Sequence, residues 1–195
     1  MQTTLVMNKK LIIIEGTDNV GKDTVINQLL NKYKDAKIYH CEKPKSKDTI
    51  EAAKEQYNSF LNLAKDNSTS KDEIIIHNRS WYGEYVYGVK YRNNNKNEVK
   101  KSILEFEKII LNNIDDVCLI MLLSNNSNFL VKNDDGLSIS QAKKELIEDE
   151  TKRFKDIFKF STIPNKHIIY VNKGENWRNK EEIISEVYNA ISKNK

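Results

Sequence analysis

The sequence predicts an α/β fold: a parallel sheet covered on both faces by helices. Three observations predict it. Short apolar runs without alternation recur along the chain, the mark of strands buried on both faces. Amphipathic helical patterns alternate with them, and no repeat or low-complexity linker divides the 195 residues. The first run, Leu11, Ile12, Ile13 and Ile14, breaks into a glycine-bounded loop that carries a lysine just before a helix.

That loop, Glu15-Gly16-Thr17-Asp18-Asn19-Val20-Gly21-Lys22-Asp23-Thr24, has the physical parts of a phosphate cradle. Gly16 and Gly21 let the backbone turn tightly, so that the N–H groups around Asn19 and Val20 face inward. The following helix adds the positive end of its dipole, and the Lys22 ammonium reaches toward the outer phosphates. The usual pattern has Ser or Thr directly after the lysine, to meet Mg2+. Here Asp23 holds that position and Thr24 follows, so Asp23 could hold the metal through water or Thr24 could serve.

The remaining elements follow in order. Val25, Ile26, Leu29, Leu30 and Tyr33 recur at helical spacing and predict a helix over residues 21–34. Residues 37–41, KIYHC, read as a second strand, and Ala53, Tyr57, Phe60, Leu61 and Ala64 as a helix over 48–65 capped by Asp48. Ile74, Ile75 and Ile76 make a third strand, followed by a tyrosine-rich segment over 81–92. A polar break over 93–97 precedes a helix over 98–112, and VCLIMLL at 117–123 is the fourth strand. Ser138 with Gln141 three residues on is a capping-box signature, which predicts a helix from there to about Phe158. A fifth strand over 167–171 and a helix over 179–193 complete the chain.

The length suits one domain, residues 1–195. A net charge of +4 is a mild excess that favours anionic small molecules without requiring a nucleic acid. Only four of the 32 basic residues are arginine, which limits the candidates for bidentate phosphate contacts to Arg79, Arg92, Arg153 and Arg178. Cys41 and Cys118 have no metal-ligand spacing. No run reaches signal-peptide or transmembrane length, so a cytoplasmic protein with no membrane partner is expected.

Ligands of an open parallel sheet lie beyond the carboxyl ends of its strands. This gathers the loop after Ile14, residues 40–45, residues 78–82, Ser124 onward and residues 172–176 around one crevice. Lys22 and Arg79 then emerge on the same side from different strands, and two cations flanking a crevice suit two phosphate groups, a donor and an acceptor. The plainer role for Arg79 is a salt bridge on a covered edge.

On these residues the chain resembles the thymidylate kinases. The phrase Glu15-Gly16-Thr17-Asp18 resembles the family's EGxD opening, and Asn78-Arg79 falls where the family has Asp-Arg at the end of its third strand. Arg153-Phe154 looks like its Arg-Phe after the lid, and VNKGENW like its adenine-side loop. The segment GEYVYGVKYR is especially similar to thymidylate kinase-like proteins of phages. The resemblance implies a P-loop NTPase three-layer sandwich, with a five-stranded parallel sheet in the order 2-3-1-4-5 and a short lid, here at about 125–150.

It also implies roles. Lys22 and the loop amides would hold the phosphates of ATP with Mg2+, and Arg153 and Lys173 would lie on the ATP side. Asp18 would approach the acceptor's sugar and Arg79 would grip its phosphate. Tyr82 and Phe60 or Tyr57 are candidates to enclose the base, although Phe60 and Tyr57 lie on the apolar stripe of their helix. Lys43 or Lys45 would replace an arginine of the second-strand loop. The family's catalytic arginine, at the position of Asn19 or in the lid, is missing here, and Lys132 is the lid cation nearest that role.

The expected reaction is ATP-dependent phosphoryl transfer to a deoxynucleoside monophosphate, dTMP or a related one, by a homodimer. Such an acceptor is already ionised and needs no general base. A deoxynucleoside kinase would profit from a carboxylate where Asn78 stands. A homologue with lost activity is the other alternative. No basic, aromatic-interleaved groove suggests a polynucleotide partner. Polyphosphate-using kinases share a similar Arg-Ser-Trp-Tyr phrase, but the EGxD loop and the C-terminal likeness favour the nucleotide family.

Overall fold

The computed structural model describes residues 9–41, 58 and 73–192. Five strands, β1 (Lys10–Gly16), β2 (Lys37–His40), β3 (Ile74–Asn78), β4 (Asp116–Leu123) and β5 (Asn165–Tyr170), form one sheet in the order β2-β3-β1-β4-β5. Every neighbouring pair is parallel. Both the strand order and the direction match expectation. β1 lies in the centre, so its apolar run needs no polar face: Leu11, Ile12, Ile13 and Ile14 are all fully buried.

The helices are α1 (Lys22–Lys32), α2 (Lys96–Asn113), α3 (Ser127–Lys132), α4 (Lys144–Phe160) and α5 (Lys180–Ser192). Alternate residues of β1 feed two cores. Ile12 and Ile14 pack with Val25, Ile26 and Leu29 of α1, Phe129 of α3, and Ile183 and Val187 of α5. Leu11 and Ile13 face the other way, toward Trp81, Tyr82, Ile103 and Phe106. Full burial of one such aliphatic side chain contributes about 1.5–3 kcal/mol, so the central strand anchors both layers. Among the described residues no helix is long and apolar enough to cross a membrane.

Three local expectations change. The predicted helix from Ser138 begins instead at Lys144, with Lys143 as its N-cap. The Ser138 hydroxyl donates to Asp134 at 2.5 Å, and Gln141 and Ala142 take positive φ of 51° and 54°, which no helix tolerates. The helix predicted from residue 98 starts earlier, at Lys96, because Asn95 accepts from the N–H groups of Asn97 and Glu98 at 2.9 and 3.3 Å. The tyrosine-rich segment forms a π-helical stretch, Glu84–Gly88, that continues into one short α-helical turn, Val89–Tyr91. A small antiparallel hairpin, β6 (Asn172–Lys173) and β7 (Asn176–Trp177), follows β5 and was not anticipated. The predicted helix over 48–65 lies outside the described residues, apart from Asn58.

Candidate active site

Beyond the carboxyl ends of β1 and β3 lies a cleft of about 680 Å3, lined by residues 18–24, His40, Cys41, Asn78 and Arg79 together with Asp135, Leu137 and Ser138. Of the segments expected around one crevice, the loop after β1, residues 40–41, residues 78–79 and the stretch over 135–138 line it, whereas residues 80–82 and 172–176 do not. Gly16 makes the loop possible at its base. Its φ is +146°, and a Cβ there would meet the Leu122 carbonyl oxygen at 2.0 Å, so only glycine lets β1 turn beside β4. Gly21, with φ +75°, sits as the N-cap of α1.

Lys22 is buried under this loop. Its ammonium donates to the carbonyls of Gly16 and Thr17 at 3.1 and 2.5 Å. Burial, with the Arg79 charge nearby, pushes its pKa down to about 7, despite the opposing pull of Asp18, Glu15 and Asp23. Arg79 crosses the cleft and forms an ion pair with Asp18. Burial pushes the Asp18 carboxyl up, but the Arg79 guanidinium outweighs it and holds the group below its ordinary value. Arg79 itself sits at φ +64°, rare for a residue with a Cβ.

The metal-side candidates lie at the same cleft. Asp23 Oδ1 accepts from the Asn78 side-chain amide at 2.9 Å, and that amide also lies 3.1 Å from His40 Nδ1. Asn78 Oδ1 is buried and, among the described residues, has no hydrogen-bond partner. A carboxylate, the Thr24 hydroxyl and an open amide oxygen are hard oxygen donors of the kind Mg2+ takes. Among the described residues no group of three His, Cys, Asp or Glu could hold a metal alone. An ion here would therefore share its coordination with phosphate oxygens and water, as Mg2+ commonly does.

The stretch after α3 closes over the loop. Asp134 accepts from Asn19 at 3.1 Å and from the Gly136 N–H at 2.8 Å, and the Ile139 N–H donates to Asp18 at 3.3 Å. The Ser138 hydroxyl, with these further bonds, holds the Asp134 carboxyl below its ordinary value. Asn19 thus ties the loop to Asp134 rather than carrying a charge.

Other sequence candidates stand elsewhere. Tyr82 is fully buried and its hydroxyl donates to Glu107 at 2.6 Å, so it faces the core and not the cleft. Arg153 pairs with Asp149 at 2.8 Å on α4, and Lys132 and Lys173 are exposed; none of the three lines the cleft. Lys43 and Phe60 lie outside the described residues.

Sequence reasoning missed three groups. Glu15 is buried beneath Arg79 and accepts from Ser80; burial pushes its carboxyl up against the pull of Ser80, Arg79 and Lys22. Tyr87, on the π-helical stretch, is buried within electrostatic reach of Asp18 and Arg79. Asp134 becomes visible only through Asn19. A buried acid in the EGxD phrase was the one signal available. Burial pushes the Cys41 thiol up to about 12, so it stays protonated in the cleft.

A model of the family described as "Polyphosphate kinase 2 (PPK2)" matches residues 1–125, from before β1 through β4. The chain belongs to the PPK2 family. The matched span contains both the EGxD loop and the Arg-Ser-Trp-Tyr phrase, so the loop does not separate this chain from the polyphosphate-using kinases as expected. No curated protein matches.

Solved structures share the fold. YorR of Bacillus subtilis, in complex with phosphorylated GDP, is 18% identical with a TM-score of 0.65, covering 92% of this chain and 94% of that chain. Polyphosphate kinase 2 of Arthrobacter aurescens is 13% identical with a TM-score of 0.65, over 94% of this chain and 66% of that one. Thymidylate kinase of Candida albicans is 15% identical with a TM-score of 0.63, over 96% and 92%. The PPK2-family chain thus has the P-loop kinase fold that thymidylate kinases also have.

Proposed function

We propose that this PPK2-family chain transfers a phosphoryl group from a phosphate-chain donor on the loop over 16–24 to a nucleotide acceptor. The preferred pair is ATP with Mg2+ and a deoxynucleoside monophosphate, dTMP or a related one, giving the diphosphate. One observation carries this reading: Lys22 and Arg79, from separate strand ends, line one cleft. Lys22 and the loop amides suit the donor phosphates, and Arg79 suits the acceptor phosphate. Asp18, now paired with Arg79, would turn to the acceptor's sugar when a phosphate takes its place on the guanidinium. When bound, Mg2+ would supply charge neutralisation, with Asp23 or Thr24 on its protein side.

A second reading has inorganic polyphosphate as the donor, and the family match over residues 1–125 favours it. ATP is favoured by a second cavity, of about 370 Å3, beside the loop. There the Trp177 ring lies against Gly21 and edge-on to Phe129, a surface suited to a base. One kinase domain, a homodimer and a cytoplasmic setting belong to this reading, and light scattering tests the dimer.

The experiment is a donor-by-acceptor matrix. ATP and polyphosphate are each incubated with Mg2+ and a panel of nucleosides and monophosphates, with products separated by chromatography. Diphosphate formed from a monophosphate supports the proposal, and the productive donor decides between its two forms. Turnover with nucleosides alone sinks it, and binding without turnover points to a lapsed enzyme.

A further inference from the structure

Arg79 holds an uncommon backbone position, and the bonds that hold it there come from β1. Its own N–H donates to the Ile14 carbonyl at 3.0 Å. The next residue, Ser80, donates both its N–H and its hydroxyl to one oxygen of Glu15, each at 2.7 Å. Consecutive groups of the turn are thus gripped by consecutive residues of the neighbouring strand.

Packing alone does not ask for an acid at Glu15. The residue is 1% exposed and shares its face of β1 with Leu11 and Ile13, where an aliphatic side chain would fit the pattern. A buried carboxylate is costly unless its lone pairs are satisfied, and the partners that satisfy this one lie in the turn that carries Arg79. The φ of +64° at Arg79 is unfavourable for an arginine and persists only where the surroundings over-determine it. The Ser80 clamp supplies that constraint.

We infer that Glu15 is a positioning residue: through its paired bonds to Ser80 it holds Arg79 in the left-handed turn that aims the guanidinium across the cleft. Glu15 touches neither substrate. The inference rests on the reading of Arg79 as the acceptor's anchor, and it predicts that loosening the clamp harms the acceptor side while leaving the donor side in place.

The test compares Glu15→Ala, Ser80→Ala and Glu15→Gln in the full chain, each titrated calorimetrically with dTMP and with inorganic tripolyphosphate. Melting temperatures are recorded alongside. Ser80→Ala, which removes the hydroxyl bond and keeps the N–H bond, should weaken dTMP roughly three- to tenfold. Glu15→Ala should weaken it more than roughly tenfold. Tripolyphosphate should change less than about twofold in Ser80→Ala, which keeps the Glu15 charge near Lys22, and equally in Glu15→Ala and Glu15→Gln, which both remove it. Glu15→Gln still accepts both bonds and should recover most of the dTMP affinity. Equal loss of both ligands, following the loss of melting temperature, would reduce Glu15 to a stabilising role and overturn the inference. Arg79→Ala in the same titration separates the two levels. If it binds dTMP like the wild type, the acceptor reading falls and the inference with it. If it loses dTMP while the Glu15 and Ser80 variants keep it, only the positioning role falls.

Discussion

Arg79 and Asp18 form an ion pair across the mouth of the cleft, one from the end of β3 and the other from the loop after β1. The pair joins the two segments that the sequence marked for the acceptor, and each side chain keeps the other charged and oriented. Arg79→Ala removes a charged donor set worth about 2–3 kcal/mol to a phosphate. Affinity for a monophosphate should therefore fall roughly 30- to 150-fold, with ATP changed much less. Equilibrium binding to the two ligands checks this, and equal losses would remove Arg79 from the acceptor side.

Tyr82→Phe tests whether that ring serves the core or the base. Its hydroxyl donates to Glu107 at 2.6 Å, while Glu107 also accepts from Thr162 N–H and Oγ1, each at 2.6 Å. Losing one of three bonds to a buried carboxylate should cost about 1–2 kcal/mol. Melting should fall by several degrees with monophosphate affinity unchanged. A Tyr82→Phe variant that melts normally but binds the nucleotide poorly would place the ring at the base instead.

Gly88→Ala sets helix propensity against the bonds of a buried carboxylate. Alanine would gain about 1 kcal/mol within a helix. Its Cβ, however, would stand 2.3 Å from Glu84 Oε2 and 2.6 Å from the Asn94 side-chain nitrogen. Glu84 is buried and bonds to the partly exposed Arg92 at 2.5 Å and to Asn94 at 3.0 Å, and displacing its carboxylate from them costs about 2–3 kcal/mol. The lost bonds should win, and denaturant unfolding should show a net loss of about 1–2 kcal/mol. A stabilised variant would show that Glu84 swings aside freely.

His77 makes stability depend on pH. Burial lowers its pKa from 6.5 to about 3 in the folded chain. Below pH 6.5 the unfolded chain takes a proton that the folded chain refuses, so stability falls as pH drops from 6.5 toward 3. From pH 7 to pH 5 this one group should cost about 2 kcal/mol. His77→Gln cannot titrate and should lose correspondingly less over the same interval, measured by denaturant midpoints. Identical losses in both proteins would count against the assignment.

The sheet was legible because its cause is local. A strand buried on both faces must be apolar throughout, and the runs at β1, β3 and β4 are. The loop around Lys22 was legible for a related reason: Gly16 and Gly21 both hold positive φ, although Gly16 answers also to the Leu122 carbonyl of β4. The capping box at Ser138 misled because the hydroxyl has a better partner in Asp134, fixed by the fold of residues 134–139. Tyr82 misled too: residues beyond a strand end face either the cleft or the core, and only the acceptor offered by Glu107 decides which.

The sequence by itself determined the parallel sheet, the helices on both faces, the loop around Lys22 and the arrival of Arg79 at the same edge. Each follows from apolar periodicity, glycine and strand direction, all properties of neighbours in the chain. The tertiary structure decided which charges meet. Arg79 pairs with Asp18 from 61 residues away, Glu15 holds Ser80 across 65, and Asn19 meets Asp134 across 115. The physical reason is that a buried polar group takes whichever partner the packed chain brings within about 3 Å, and periodicity in sequence carries no record of that choice.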